Sequence, residues 1–169
     1  MSEYIKYLKS TIWCCSSVVL LSIVTLIACQ KGYLSFIEQF TAQTVTDVIH
    51  LFGLPAVRNN TVINLKNAVL VVNTECTSIF IMITFSCLVA FYQTSKKSKI
   101  IGILVGLPII FAANILRFVI MAFVDQYKPV YLAYFYNYWQ FAFVAMALIM
   151  WIVWIVTVAN RETKTTAHQ

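Results

Sequence analysis

Four apolar stretches, each long enough to cross a bilayer, constrain this chain more than any other feature. A spanning helix needs about 20 mostly apolar residues. The stretches are 12–29 (IWCCSSVVLLSIVTLIAC), 76–93 (CTSIFIMITFSCLVAFYQ), 100–124 (IIGILVGLPIIFAANILRFVIMAFV) and 138–159 (YWQFAFVAMALIMWIVWIVTVA). Charged residues make up 11% of the chain, against about 25% in soluble domains. The expected fold is therefore an all-α membrane protein. It is read as a bundle of about four transmembrane helices in a single membrane domain over residues 1–169, with a partly ordered outer connection at 30–75.

The net charge of +6 does not point to nucleic acid, because the positive residues sit in short clusters beside the apolar stretches. That placement marks topology signals and contacts with lipid headgroups. Lys6 and Lys9 precede the first stretch, Lys96, Lys97 and Lys99 join the second to the third, and Arg161 and Lys164 follow the fourth. Four spans with both termini cytoplasmic put all three clusters inside. The other connections balance Lys31, Arg58 and Lys66 against Glu38, Asp47 and Glu75, and Lys128 against Asp125. Five cysteines without CxxC spacing argue against a metal site or a disulfide framework.

Within the outer connection, Leu34, Ile37, Phe40, Thr44, Val48 and Leu51 recur at helical spacing, as in a helix lying along the interface. Gly53 and Pro55 stop that helix. The stretch AVRNNTVINLKNAVLVV follows, with β-branched residues around Asn59-Asn60 and Lys66-Asn67, which reads as short strands or a hairpin. LIAC at 26–29 has the form of a lipobox with Cys29 as the lipidated residue; the other reading is a retained first span.

Polar residues inside spans are costly, so they direct the search for chemistry. Arg117 lies near the outer end of the third stretch, with Asn114 three residues earlier on the same face. Gly102 and Gly106 fall near that stripe and would allow close helix contact. Cys76 opens the second stretch within VVNTECTSIF, where Asn73 or Thr74 can cap the helix. A helix N-terminus and a nearby Arg would both lower the thiol's pKa, whereas the carboxylate of Glu75 would raise it. The fourth stretch opens near YFYNYWQF, which holds Asn137. Cys76, Arg117, Asn114 and Asn137 are thus expected to converge at the outer leaflet.

In this order these residues resemble the exosortase/archaeosortase family, integral-membrane transpeptidases that are functional analogues of sortases. The resemblance covers roughly residues 41–145. It starts at TAQTVTDVIHLFGLPAV, similar to the family's LLG-x-P-V stretch, and continues through ECTSI to N-x-x-R as Asn114, Ile115, Leu116 and Arg117. It implies that Cys76 is the nucleophile and that Arg117 holds the thiolate or the substrate carbonyl. Asn114 would support Arg117, and Asn137 would stand where the family most often has His. His50, in the outer connection, is the other candidate for that place. A further departure is Thr77 and Ser78, where the family has a small residue and Gly.

The implied activity is that of a membrane-embedded cysteine transpeptidase or protease. It would cleave C-terminal sorting signals of exported proteins at the outer face of the cytoplasmic (inner) membrane and transfer or release the product. Its partners would be membrane lipids and a protein substrate with a sorting signal and a transmembrane helix. No metal or organic cofactor is implied, and the oligomeric state is left open. The alternative is a noncatalytic member that binds a transmembrane substrate or a partner in surface protein or polysaccharide assembly.

Overall fold

The computed structural model describes residues 2–159. In chain order these form helices α1 (Ser2–Gln30) and α2 (Ser35–Leu51), then strands β1 (Val57–Asn59), β2 (Val62–Asn64) and β3 (Val69–Val71). Helices α3 (Ile79–Phe91), α4 (Lys96–Tyr127) and α5 (Leu132–Trp154) follow. A 3-10 turn over Thr74–Thr77 precedes α3, and another over Pro129–Tyr131 precedes α5. A π-helical stretch, Ile155–Ala159, continues α5. Arg161, Lys164 and His168 lie outside the described residues.

Helices dominate, and α4 is long and apolar enough to cross a membrane by itself. Two bent pairs meet the same test when each is taken as one span: Cys15–Gln30 with Ser35–Leu51, bent by 86°, and Pro129–Trp139 with Phe141–Thr157, bent by 42°. Length and composition therefore support one to three spans among the described residues, against the four expected. At the upper count of three, the stretch left out is α3. Its 13 residues rise about 20 Å, less than the roughly 30 Å of a hydrocarbon core. The expected helix start at Cys76 is spent on the 3-10 turn and on Ser78, which is left-handed at φ +62°.

Residues 92–95 turn the chain back between α3 and α4, so the two helices run antiparallel. Ser95 caps α4 by accepting from the Ser98 N–H at 3.2 Å. Lys99 Nζ donates to the Ala90 carbonyl at 2.6 Å. Glycines bring α4 close to both neighbours, as their spacing suggested. A Cβ at Gly106 would run into the Phe85 ring of α3, and one at Gly102 into the Trp154 indole of α5. Phe85, Val89, Ile110, Phe143 and Trp154 form the core at this end. Where lipid surrounds helices, water exclusion does not drive their association, and such close contact carries more of the stability.

At the other end a second core forms under the outer connection. Ala42, Val45 and Ile49 of α2 pack with Ile63 and Leu70 of the sheet and with Ile115, Phe118, Val119 and Ala122 of α4. A helix is present where one was expected, but it buries a neighbouring face. Thr41, Ala42, Val45, Thr46 and Ile49 point inward, while Phe40 and Leu51 of the anticipated stripe are exposed. One face of α2 thus seats the sheet, and the other leaves Phe36, Phe40 and Leu51 exposed.

The strands form an antiparallel meander in the order β1-β2-β3, with Asn59 opposite Val62 and Ile63 opposite Leu70. Asn60 turns the first hairpin at φ +54°, a conformation that Asn tolerates better than most residues. The second hairpin closes through Leu65 N–H to the Ala68 carbonyl at 2.8 Å. It is anchored to the end of α4, where buried Asp125 Oδ2 accepts from the Asn67 N–H at 3.0 Å. Asn67 Nδ2 also donates to the Asp125 carbonyl at 2.9 Å.

Candidate active site

Cys76 sits in the 3-10 turn ahead of α3, buried among residues of the core that α2, the sheet and α4 share. Asn73 shapes that turn, its Oδ1 accepting from the Cys76 N–H at 3.1 Å. Thr77 Oγ1 donates to the Thr74 carbonyl at 2.7 Å. Thr74 Oγ1 donates in turn to Glu38 on α2 at 2.5 Å and lies 2.8 Å from the Cys29 sulfur at the end of α1. Two helices, α1 and α2, therefore hold the segment before the thiol.

Asn114, fully buried on α4, donates through Nδ2 to the Cys76 carbonyl at 2.7 Å. Its Nδ2 serves the cysteine turn, while its Oδ1 is buried without a hydrogen-bond partner, as is Arg117 Nε. A buried carbonyl without a partner costs about 1–3 kcal/mol, so this bond fixes where the turn docks on α4.

Arg117 is 5% exposed. Its guanidinium carbon lies 5.3 Å from the Tyr136 ring centroid and 5.6 Å from that of Phe118. The planar cation rests on aromatic faces that attract it electrostatically, and its Nε is buried without a hydrogen-bond partner. Tyr136 belongs to the aromatic run, where composition suggests only an interfacial belt.

A cleft of about 610 Å³ opens above the thiol. Val69, Leu70 and Val71 of β3 form one wall with Asn73, and Cys76, Phe118 and Met121 form the floor. Pro129, Leu132, Ala133, Tyr136 and Asn137 form the opposite wall. Cys76 and Asn137, 61 positions apart in sequence, thus face one space. Arg117 borders it from behind Tyr136 and Phe118 and is not itself among the lining residues. His50 bonds through Nε2 with the Ala56 carbonyl at 2.7 Å and lines no part of this cleft. The β3 wall was missed in the sequence because a strand edge is a backbone feature, without a side-chain signature.

The environment of the thiol reverses one expectation. Cys76 lies outside the apolar helix α3, and burial pushes its pKa above the ordinary thiol value. A hydrogen bond from the Asn73 backbone and the positive charge of Arg117 act in the opposite direction, while Glu75 and Glu38 add to the rise. Two structural facts limit the downward pull. The α3 helix starts three residues after Cys76, so its dipole is displaced from the sulfur. Arg117 lies against rings instead of in the open cleft.

Fold and site together define a class: a helical membrane protein in which a small sheet and two helix ends enclose a cleft over a buried cysteine. The model of a family described as transmembrane exosortase matches residues 9–155, and the chain belongs to that family. The match extends the likeness seen over 41–145 in both directions. Members of the family are in general cysteine transpeptidases. No curated protein and no solved structure matches the chain.

Proposed function

We propose that this exosortase is a cysteine transpeptidase or protease acting on exported proteins at the outer face of the cytoplasmic membrane. Its substrates would carry a C-terminal sorting signal followed by a transmembrane helix and basic residues. The observation that carries this reading is the shared cleft: Cys76 in its floor, Asn137 in its wall and the Arg117 cation beneath its aromatic lining. Cys76 attacks the scissile carbonyl and forms a thioester, and the thiol proton leaves with the departing amine. An acceptor amine or water then takes the acyl group and restores the thiol. The charge of Arg117 favours the thiolate or the oxyanion, Asn114 holds the cysteine turn, and Asn137 fills the place of the usual His. Both termini are cytoplasmic in this reading, with Lys96, Lys97 and Lys99 at the inner end of the bundle.

The test is to trap the thioester on a candidate sorting-signal protein expressed with the enzyme. A hydroxylamine-sensitive conjugate should form with wild type and be absent from Cys76→Ser. A Cys76→Ser variant that still processes its substrate would overturn the catalytic reading. A noncatalytic binding role has two observations in its favour: a buried thiol with a raised pKa, and no histidine among the cleft-lining residues. Such a role predicts stable substrate capture by wild type and Cys76→Ser alike.

A further inference from the structure

The cleft wall formed by β3 is a sheet edge. β3 pairs with β2 on one side and is the last strand of the sheet. In an antiparallel pair, opposed residues alternate between exchanging backbone hydrogen bonds and directing those groups away from each other. The register and two observed bonds fix which residues do which. Val72 N–H donates to the Thr61 carbonyl at 2.8 Å, and Leu65 N–H donates to the Ala68 carbonyl at 2.8 Å. Bonded pairs are therefore Thr61 with Val72, Ile63 with Leu70 and Leu65 with Ala68.

Val69 and Val71 fall between these pairs, so their N–H and C=O groups point away from β2, toward the free edge. Among the described residues no backbone hydrogen bond occupies those outward groups. Both residues line the cleft that has Cys76 in its floor. The outward groups repeat every two residues, about 7 Å apart. That spacing is complementary to an extended peptide and not to a helix.

We propose that β3 is the docking edge for the segment that Cys76 cleaves: an extended peptide adds as a fourth strand along Val69–Val71 and so brings its scissile carbonyl over the thiol. The inference rests on the catalytic reading above and deepens it by assigning how the peptide is held. The cleft volume of about 610 Å³ is within the roughly 300–1,000 Å³ range of ligand sites. Pro129 and Tyr136 line the same cleft. Selection of the peptide backbone lies with Val69 and Val71, and selection of its side chains with the opposite wall.

The test uses full-length protein in which Cys14, Cys15, Cys29 and Cys87 are replaced by Ser, so that only Cys76 labels. Two reagents are compared. Iodoacetamide reports thiol reactivity, and acetyl-tetraalanyl chloromethyl ketone reports peptide docking before the same alkylation. Val71→Pro deletes one outward N–H, a change that edge strands tolerate. The rate with the peptide reagent relative to iodoacetamide should then fall about five-fold, the worth of one backbone hydrogen bond. Arg58→Pro, at the outward position of the far edge strand β1, should leave that ratio unchanged. Peptide reagents N-methylated on alternate amides give a second measurement that needs no variant. One alternate set should slow the reaction and the other should not, because only every second amide faces β3. Equal sensitivity of both sets or of neither, or a ratio unmoved by Val71→Pro, overturns the docking edge while the nucleophile stands. A Cys76 inert to both reagents overturns the catalytic reading itself, and the inference with it.

Discussion

Ser78 occupies a position where the exosortase pattern has glycine, and it holds φ +62° and ψ +8°. For an L-residue this left-handed conformation costs about 1–2 kcal/mol, a cost glycine does not bear. Glycine's extra freedom in the unfolded chain cancels about 0.5–1 kcal/mol of the advantage. The cleanest comparison is between Ser78→Gly and Ser78→Ala, since both lose the hydroxyl that donates to the Thr77 carbonyl. With Ser78 left-handed, the glycine variant should be the more stable of the two by about 1 kcal/mol. If residue 78 were an ordinary residue of a helix starting at Cys76, the order would invert, with alanine ahead by about 1 kcal/mol. The sign therefore decides between the two backbones. The assay is thermal unfolding of the two purified variants in the same detergent, followed by tryptophan fluorescence. A difference of 1 kcal/mol corresponds to about 2–4 °C for a chain of this length. An alanine variant that melts above the glycine variant refutes the left-handed turn at Ser78.

Gly106→Ala should destabilise by about 1–3 kcal/mol through overpacking, because its Cβ meets the Phe85 ring; Phe85→Leu in the same chain should recover part of the loss in melting temperature. Asn114→Leu removes the donor to the buried Cys76 carbonyl and should cost about 1–3 kcal/mol, with a changed rate of Cys76 alkylation showing that the turn has moved. Burial raises the Cys76 pKa and Arg117 lowers it, so labelling should keep climbing at pH values where an ordinary thiol is already ionised. Arg117→Gln removes a lowering influence, so it should shift that profile to still higher pH and slow labelling near neutrality. A shift to lower pH on this substitution, read from the pH–rate profile, would contradict the assigned field.

Elements set by local pattern were legible in the sequence. The four apolar stretches fall on α1, α3, α4 and α5; the β-branched run between Gly53 and Asn73 became a meander, and the glycines of α4 became its contacts with Phe85 and Trp154. Placement of Cys76, Asn114 and Asn137 at one end of the bundle followed from counting antiparallel helices. What periodicity could not resolve was which of two apolar faces of α2 meets the sheet. Phe40 and Leu51 score as apolar as Val45 and Ile49, and only the partner surface distinguishes them. The start of α3 was misplaced for a related reason. Asn73 and Thr74 are good caps anywhere, but Asn73 caps a 3-10 turn here, and the left-handed Ser78 separates that turn from α3. This three-residue offset has a chemical consequence. It moves the helix dipole away from the sulfur and leaves desolvation as the largest influence on the thiol. A peptide held along β3 would displace water above Cys76, and a thiolate formed there would rely on Arg117 and on donors in the cleft wall. Asn137, whose amide does not ionise near neutral pH, can supply a hydrogen bond but not the proton transfer that His provides. In the proposed mechanism the thiol proton leaves with the departing amine and no histidine relays it, so the pH dependence of turnover should follow Cys76 and show no second inflection near the histidine range.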